Sequence, residues 1–340
     1  MTLTPDFELR ERIRSASDIV DVIGNALGEL RRQGSTYVTR CPWHDDKRPS
    51  LTINPARQTW KCYPCDIGGD VFSFVMQRDG VSFPEAMKIL ADRAGIPFES
   101  HGRKAVKGSV DDKAMLLAAV KWAEEQFFDY LSKSPDAAAV RDYVAERGID
   151  DENRIRFRIG FAPDRWDWLL GRATRTPFNP EILKAVGLVM PGRSGNGHYD
   201  FFRGRLMFPI FDLQDRPIAF GGRHVPMIGD QSGGKYVNTP ETKLFSKNQN
   251  LYGLNLARLA MQRQRRALIM EGYTDVIAAR QHGIETAVAC LGVAVGENHV
   301  SLLRRFVDQI VLVLDGDDAG QRRTDEVLSC LSPPTSICVC

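Results

Sequence analysis

Two short pairs of metal-ligand residues near the amino terminus constrain this chain most strongly. Cys41 and His44 form one pair and Cys62 and Cys65 the other, in the pattern C-x2-H-x17-C-x2-C. The 17-residue spacer is long enough for a β-hairpin that brings the two pairs together. Three thiolates and one imidazole complete a tetrahedral shell around Zn²⁺ with no open position, which indicates a structural site. The alternative, four unrelated residues with thiols acting as small buried hydrophobes, is disfavoured by the double spacing.

Length and composition limit the class of protein. The 340 residues are enough for roughly two or three domains, and 43% of them are hydrophobic, as in ordinary globular proteins. The 45 Lys and Arg nearly balance the 43 Asp and Glu, so a nucleic-acid surface would have to arise by segregation of charge. The sequence shows no signal peptide and no apolar run of membrane-spanning length. Seven cysteines, three of them in the metal motif, argue against a disulfide framework, and we expect a cytoplasmic protein without membrane contact.

Periodicity divides the chain into segments. Short strands are predicted around the metal pairs, as in a zinc ribbon, and Ser82 with Glu85 predicts a capping box for a helix that Gly95 ends. The polar stretch 99–112 is typical of a linker. Two helices, at about 116–131 and 136–147, precede a β-rich region. The last part alternates strand and helix, which implies a parallel sheet with right-handed crossovers, over 267–270, 273–281, 286–289, 297–306 and 309–314.

Carboxylates follow two strands of this alternating part. Glu271 comes directly after the first strand, and Asp315 and Asp317 come directly after the third. Because the carboxyl ends of parallel strands meet at one edge, where such folds bind ligands, we expect these side chains to lie close together. Three carboxylates repel one another unless a cation lies between them, and hard oxygen ligands suit Mg²⁺ or Mn²⁺. A single acidic turn, however, is a common solvated loop.

The acidic turns belong to a wider pattern. Residues 271–275 (EGYTD) paired with 315–320 (DGDDAG) resemble the signature of the Toprim fold, shared by bacterial primases, topoisomerases and some nucleases. Together with the zinc motif, they make the chain similar to bacterial DnaG-type DNA primases over almost its whole length. Further segments match that family in order, namely 41–50, 156–163, 205–210, 220–223, 235–242 and 251–253.

The resemblance implies an α/β multidomain protein. Its expected parts are an N-terminal zinc ribbon (1–98), the linker (99–112), a mixed α+β middle subdomain (113–262), a partial Toprim domain with a parallel β-α-β sheet (263–329) and an atypical tail (330–340). Family members continue past the second acidic motif into a further acidic pair, a helical bundle and a helicase-binding domain. We therefore expect a truncated member whose third Toprim strand becomes an edge that invites pairing with other chains, and which makes primer poorly.

The function that the resemblance implies is synthesis of short RNA primers on single-stranded DNA from ribonucleoside triphosphates, during replication. Asp315 and Asp317 would hold Mg²⁺ against the triphosphate, and Glu271 would act as a metal ligand or as the general base. Asp275 has the spacing to reach the same site from the first turn of its helix. Full-length relatives would also bind the replicative helicase.

The resemblance also implies a template and nucleotide surface beside the metals, composed of Arg156, Arg205, Arg223, Lys235, Tyr236, Asn238 and Lys247. Lys and Arg neutralise phosphates, and Tyr236 can stack on a base. By contrast, arginines without a matching motif, including Arg258, are expected on the exposed side of a helix, and His299 is given no role. Trp43 and Trp60 can either contact DNA or pack around the metal.

Two other functions remain open on the sequence. One is a different Toprim enzyme, although a topoisomerase would need a tyrosine on a separate arch domain and a nuclease would not need the 220–241 segment. The other is a template-binding module that has lost polymerase activity.

Overall fold

The structure is a computed structural model that describes residues 5–44, 46, 48–98, 108–110, 112–192, 197–229, 234–313 and 336–339. Its chain divides into two compact units. Unit 1 contains the described residues of Met1–Arg103, Arg258–Arg265 and Arg305–Val307. Unit 2 contains those of Lys104–Ala257, Arg266–Arg304 and Asp308–Cys340. Within the described residues, no helix combines the length and apolarity that crossing a membrane requires.

Unit 1 is built on an antiparallel sheet flanked by helices. The strands lie in chain order and are β1 (Arg31–Gln33), β2 (Thr36–Thr39), β3 (Leu51–Asn54), β4 (Thr59–Cys62) and β5 (Ile67–Gly69). The helices are α1 (Pro5–Ser15), α2 (Ile19–Leu27), α3 (Val71–Asp79) and α4 (Phe83–Arg93). The predicted capping box is confirmed, because Glu85 accepts from the backbone N–H of Ser82 at 2.8 Å. The helices α1 and α2 were not predicted.

The core of unit 1 is aromatic. Trp43 and Trp60 lie 5.2 Å apart between ring centroids, and both pack on the edge of Phe74. Trp60 is almost fully buried and its indole N–H donates to the carbonyl of Asp70 at 3.2 Å. Of the two roles left open for these tryptophans, packing beside the metal pairs is the one that this geometry supports.

The expectation for Arg258 is wrong. This arginine is buried, and its Nη1 lies 3.6 Å from the buried carboxylate of Asp79 within unit 1. Nearby, the amide of Gln262 accepts from the indole of Trp43 and donates to the carbonyl of Gln77. Sequence periodicity gave no sign of these contacts, since the partners are far apart along the chain.

The first part of unit 2 is an antiparallel sheet covered by helices. Its strand order is β11-β10-β9-β6, and β7 pairs separately with β8. The strands are β6 (Gly160–Ala162), β7 (Val189–Pro191), β8 (His198–Asp200), β9 (Arg205–Phe211), β10 (Pro217–His224) and β11 (Tyr236–Asn238). The helices are α5 (Lys113–Lys133), α6 (Ala138–Glu146), α7 (Asp151–Arg156), α8 (Trp168–Ala173) and α9 (Pro180–Ala185). Helix α10 (Leu254–Gln264) begins in unit 2, and its residues from Arg258 onward belong to unit 1. A single 3₁₀ turn, Pro135–Ala137, stands where the predicted second helix was expected to begin.

The second part of unit 2 is the predicted parallel sheet. Its strand order is β13-β12-β14-β15, and all three pairings are parallel. Successive elements are β12 (Arg266–Met270), α11 (Tyr273–Gln281), β13 (Ala287–Ala289), α12 (Glu297–Leu303), β14 (Gln309–Leu312) and β15 (Ser336–Val339). Every element predicted from 267 to 314 is confirmed as a helix or a strand, although the predicted helix at 297–306 ends earlier, at Leu303.

The prediction that the third strand of this sheet lies at its edge is wrong. The third strand, β14, has neighbours on both sides, because β15 pairs with it from Gln309↔Ser336 to Leu312↔Val339. Residues 336–339 belong to the tail that was expected to be atypical. On the other side of the sheet, Tyr252 forms an isolated antiparallel bridge with Ala289, so β13 is also partly covered.

Direct helix-on-strand contact in unit 2 gives a test of the fold. A Cβ built on Gly160 would lie 2.6 Å from the carbonyl carbon of Phe127 in α5. We expect Gly160→Ala to lower the free energy of unfolding by about 1–3 kcal/mol, because the methyl group must displace helix backbone. Gly171→Ala is the control, since its Cβ would meet nothing within 4 Å and Ala favours a helix by up to about 1 kcal/mol.

Urea unfolding followed by circular dichroism measures both variants. Equal midpoints for Gly160→Ala and the parent chain would contradict the close approach of α5 and β6.

Candidate functional site

The four predicted zinc ligands come together in unit 1. One ligand atom from each of Cys41, His44, Cys62 and Cys65 lies within 4.8 Å of all the others. The sulfurs of Cys41 and Cys65 are 3.8 Å apart, and two sulfurs bound tetrahedrally at 2.3 Å from zinc would be separated by about 3.8 Å. The Nδ1 atom of His44 faces the thiols, at 3.1 Å from Cys65 and 3.8 Å from Cys62. The geometry therefore fits a closed four-ligand metal site with Nδ1 as the nitrogen ligand.

Asp46 organises this cluster from behind. Its carboxylate accepts from the backbone N–H of Cys41 at 2.8 Å and from the hydroxyl of Ser50 at 2.7 Å. It also lies 3.5 Å from Nε2 of His44, the ring nitrogen turned away from the thiols. Burial alone would raise the pKa of Asp46, but these donors together lower it below its ordinary value. An ionised carboxylate on the far nitrogen fixes the ring orientation that metal-binding histidines need.

Burial raises the pKa of the Cys41 and Cys65 thiols. Without a cation among them, such thiols keep their protons at neutral pH, since crowding three thiolates in a buried site is unfavourable. A bound Zn²⁺ would reverse this balance by stabilising the thiolates. The donor set and its burial therefore fit zinc.

The first acidic turn lies at the carboxyl end of β12. Glu271 follows that strand directly and is partly exposed. Asp275 lies in the first turn of α11, where its carboxylate accepts from the backbone N–H of Gly272 at 3.0 Å. Asp275 therefore caps the helix and holds the turn that carries Glu271. Asp315 and Asp317 lie outside the described residues.

Tyr273, the next residue of that turn, joins the parallel sheet to the antiparallel one. Its ring is buried, and its hydroxyl donates to Oδ1 of Asn238 in β11 at 2.5 Å. The side-chain N–H of Asn238 donates in turn to the carbonyl of Leu291 at 2.7 Å. Burial, with a smaller effect from Tyr236, raises the pKa of Tyr273, so the hydroxyl keeps its proton and remains a donor. Asn238 is thus fixed beside the acidic turn.

The predicted surface arginines of the antiparallel sheet are buried. Arg223 is 6% exposed; its Nε donates to the hydroxyl of Tyr143 at 3.1 Å, and its Nη1 donates to the hydroxyl of Tyr236. Arg205 is 8% exposed and donates to the carbonyls of Gly222 and Gly234. Both guanidinium groups therefore donate to groups of the protein itself, and these bonds stabilise the strands around β11.

The remaining predicted surface residues lie at different places. Lys235 is exposed immediately before β11. Lys247 is partly exposed, and its carbonyl is 2.9 Å from Nε2 of the buried His299, a structural role for this histidine that the sequence did not suggest.

Arg156 lies apart from the β11 residues. It pairs with Glu152 at 2.7 Å and lines a cavity of about 160 Å³ with Phe211 and Asp215. Those two residues lie at the turn end of the β9–β10 hairpin, whereas Arg205 and Arg223 lie at its open end. The structure therefore does not bring Arg156 together with Arg205 and Arg223.

An exposed aromatic cluster was missed in the sequence. Trp166 is 64% exposed, and the guanidinium of Arg203 lies 3.7 Å from its ring centroid. The same guanidinium lies 5.3 Å from the ring of Tyr199, and Arg203 is held by the carbonyl of Asp200 at 2.7 Å. An exposed tryptophan with a cation on its face is a common base-stacking surface. The signal in the sequence was a tryptophan, Trp166, three residues after the end of the 156–163 segment.

Three family models match successive parts of the chain. Residues 6–106 match the CHC2 zinc finger, and 127–258 match the N-terminal domain of the DNA primase catalytic core. Residues 268–339 match a Toprim-like domain, a range that includes strand β15. The domain limits predicted from the sequence stay predictions.

Curated relatives share most of this chain. A DNA primase of Halalkalibacterium halodurans is 35% identical over 93% of this chain, and one of Pseudomonas putida is 38% identical over 90%. The chain spans 52% and 46% of those two proteins, which is about half their length.

Solved structures of primases are also similar to this chain. The Mycobacterium tuberculosis primase DnaG RNA polymerase domain has a TM-score of 0.62 at 35% identity, covering 68% of this chain and 76% of that one. The DnaG primase catalytic domain bound to ssDNA has a TM-score of 0.60 at 36% identity, covering 65% and 68%. The Aquifex aeolicus primase, with zinc-binding and RNA polymerase domains, has a TM-score of 0.60 at 32% identity, covering 95% of this chain and 76% of its own. By this similarity, and by the order of its three matched domains, the chain belongs to the bacterial DnaG-type DNA primase family.

Proposed function

We propose that this chain is a DNA primase, a DNA-directed RNA polymerase that makes short RNA primers from ribonucleoside triphosphates on single-stranded DNA. The observation that carries the proposal is the hydrogen bond from Tyr273 to Asn238. It holds the acidic turn of the parallel sheet against β11, a strand that the family resemblance assigns to the nucleotide surface. Phosphoryl transfer needs carboxylates that hold metal ions and donors that orient phosphates. The contact supports the proposal because it joins the turn that carries Glu271 to the strand that carries Asn238.

In this proposal Glu271, Asp315 and Asp317 hold Mg²⁺ or Mn²⁺. Bound there, the metal would neutralise charge on the triphosphate and lower the pKa of the attacking 3′-hydroxyl. Glu271 either ligates the metal or accepts the proton of that hydroxyl. Asp275, whose carboxylate caps α11, acts through the shape of the turn rather than as a primary ligand.

The template surface in this proposal is wider than the sequence suggested. Lys235 supplies an exposed cation immediately before β11, and Lys247 supplies a partly exposed one. Trp166 with Arg203 supplies a stacking surface of the kind that single-stranded nucleic acids use. A solved relative, the DnaG primase catalytic domain, is bound to ssDNA, which supports the proposed ligand. The zinc ribbon would help to grip the template.

Primer synthesis tests the proposed activity. We expect the chain to join labelled ribonucleotides into short RNA on single-stranded DNA when Mg²⁺ or Mn²⁺ is present. Asp315→Asn combined with Asp317→Asn should abolish synthesis and weaken Mn²⁺ binding by more than about tenfold, since even residues behind a metal ligand contribute that much. Asp318→Asn removes the same kind of charge from the residue that follows Asp317 and should leave Mn²⁺ binding unchanged.

Electron paramagnetic resonance of free Mn²⁺ gives the binding constant. Undiminished Mn²⁺ binding in the double variant would show that this acidic motif is only a surface turn. Template binding without synthesis by the parent chain would favour the binding-module alternative.

Elemental analysis tests the metal in unit 1. We expect one zinc per chain, lost in Cys62→Ala because a three-ligand shell holds the ion much more weakly. Cys290→Ala is the matched control, since Cys290 is also buried but lies outside the cluster. Chelation should unfold unit 1 because metal-binding energy is part of its folding energy. Freshly purified protein without zinc would contradict the assignment.

The salt dependence of DNA binding tests the template surface. Lys235→Ala and Lys247→Ala should each reduce the slope of log affinity against log salt by about 0.7, as expected for one phosphate contact on a single strand. Lys133→Ala, at an exposed lysine of α5 paired with Asp129, should leave the slope unchanged. Fluorescence anisotropy with a labelled oligonucleotide gives these slopes. If the two lysine variants match the control, the template lies elsewhere.

A further inference from the structure

The ring of Tyr273 is held in place by contacts with several neighbouring residues. It stacks on Phe208 with centroids 5.1 Å apart and planes 9° apart, and it meets Tyr252 edge-on at 4.7 Å. On β10, a Cβ at Gly221 would lie 2.3 Å from the Tyr273 ring, so only glycine allows this approach. The Tyr273 hydroxyl therefore has one position available to it.

That hydroxyl and the carbonyl of Leu291 together hold the amide of Asn238 in one orientation. Oδ1 of Asn238 accepts from Tyr273, and the Asn238 nitrogen donates to the Leu291 carbonyl, so a flipped amide would place its oxygen against that carbonyl and lose the second bond. One N–H and one oxygen lone pair remain on Asn238, whose side chain is partly exposed. The N–H could donate to a phosphate oxygen of a bound strand, and the lone pair could accept from a sugar hydroxyl.

The neighbouring side chain on the same face of β11 is held in a similar way. Tyr236 is two residues before Asn238, so both side chains leave the strand on one side. The Tyr236 hydroxyl accepts from Arg223, whose guanidinium also bonds to Tyr143 and lies 5.0 Å from the Tyr236 ring centroid. Buried residues therefore hold both side chains on this face of β11 in position.

We propose that Tyr273 is a positioning residue: its hydroxyl presets the Asn238 amide for a nucleotide or template strand and does not itself touch that strand. This inference rests on the proposed primase function for its biological meaning. The hydrogen bond itself can be tested without it.

The kinetic test is a double-mutant cycle with a matched control. Tyr273→Phe should reduce kcat/KM for primer synthesis about tenfold, and Asn238→Ala should reduce it by a similar factor, the expected effect of one misplaced hydrogen-bonding group. The double variant should be no worse than the poorer single variant, because the hydroxyl acts only through the amide. Tyr252→Phe should retain activity, since the buried hydroxyl of Tyr252 has no hydrogen-bond partner among the described residues.

The second readout does not depend on activity. In a ¹H–¹⁵N spectrum, the side-chain amide signals of Asn238, assigned by their absence in Asn238→Ala, should move in Tyr273→Phe and stay in place in Tyr252→Phe. A merely structural loss would lower the thermal midpoint without selectively moving these signals.

The outcomes separate the two proposals. A parent chain that makes no primer would overturn the proposed function, and the Asn238 signals would then decide the positioning role alone. Unmoved Asn238 signals in Tyr273→Phe would overturn the positioning role even in an active enzyme. Losses that multiply in the double variant, to about a hundredfold, would do the same, because independent effects add in free energy.

Discussion

The packing of Tyr273 against β10 is the contact on which the candidate site depends. The parallel sheet carries the acidic turn, and the antiparallel sheet carries Asn238. They meet where a glycine, Gly221, leaves room for an aromatic ring. A ring buried between Phe208 and Tyr252 is a rigid donor, and its hydroxyl extends that rigidity to Asn238. This contact therefore adds a hydrogen bond between the acidic turn and β11 to the hydrophobic core that the two sheets share.

The basic residues of the predicted surface differ in burial and therefore in what they can contact. Arg223 and Arg205 are enclosed and satisfied by tyrosine hydroxyls and backbone carbonyls, so their charge supports strands. Lys235 and Trp166 are exposed and suit direct contact with a polyanion. An arginine with a rigid fork of donors is suited to the first task, and an exposed lysine to the second. A motif match alone cannot separate these tasks, because it gives the type of a residue and not its burial.

Unit 1 depends on a different constraint, the metal cluster. Four ligand atoms within 4.8 Å of one another join the loop before β3 to the turn after β4. The tryptophans and Phe74 pack against one another in the core that also contains Cys41 and Cys62, so a metal bound there would stabilise the same small core as the aromatic packing. Asp46 connects two of the ligand residues, because it accepts from the Cys41 backbone and lies beside the His44 ring.

The sequence by itself determined what depends on local pattern. The spacing of Cys41, His44, Cys62 and Cys65 predicted the metal cluster, and apolar runs predicted every element of the parallel sheet from β12 to β14. The capping box of α4 could also be predicted from the sequence, because it involves residues only three apart. The motifs also indicated the family before any fold was known.

Only the tertiary structure decided what depends on distant partners. The burial of Arg223, Arg205 and Arg258, the pairing of β15 with β14, and the bond from Tyr273 to Asn238 all join residues far apart in the chain. Tyr273 stood in a motif that the sequence singled out, yet its partner, 35 residues away, could not be read from spacing. Local patterns fix which faces are apolar, whereas the packing of those faces decides which polar atoms meet.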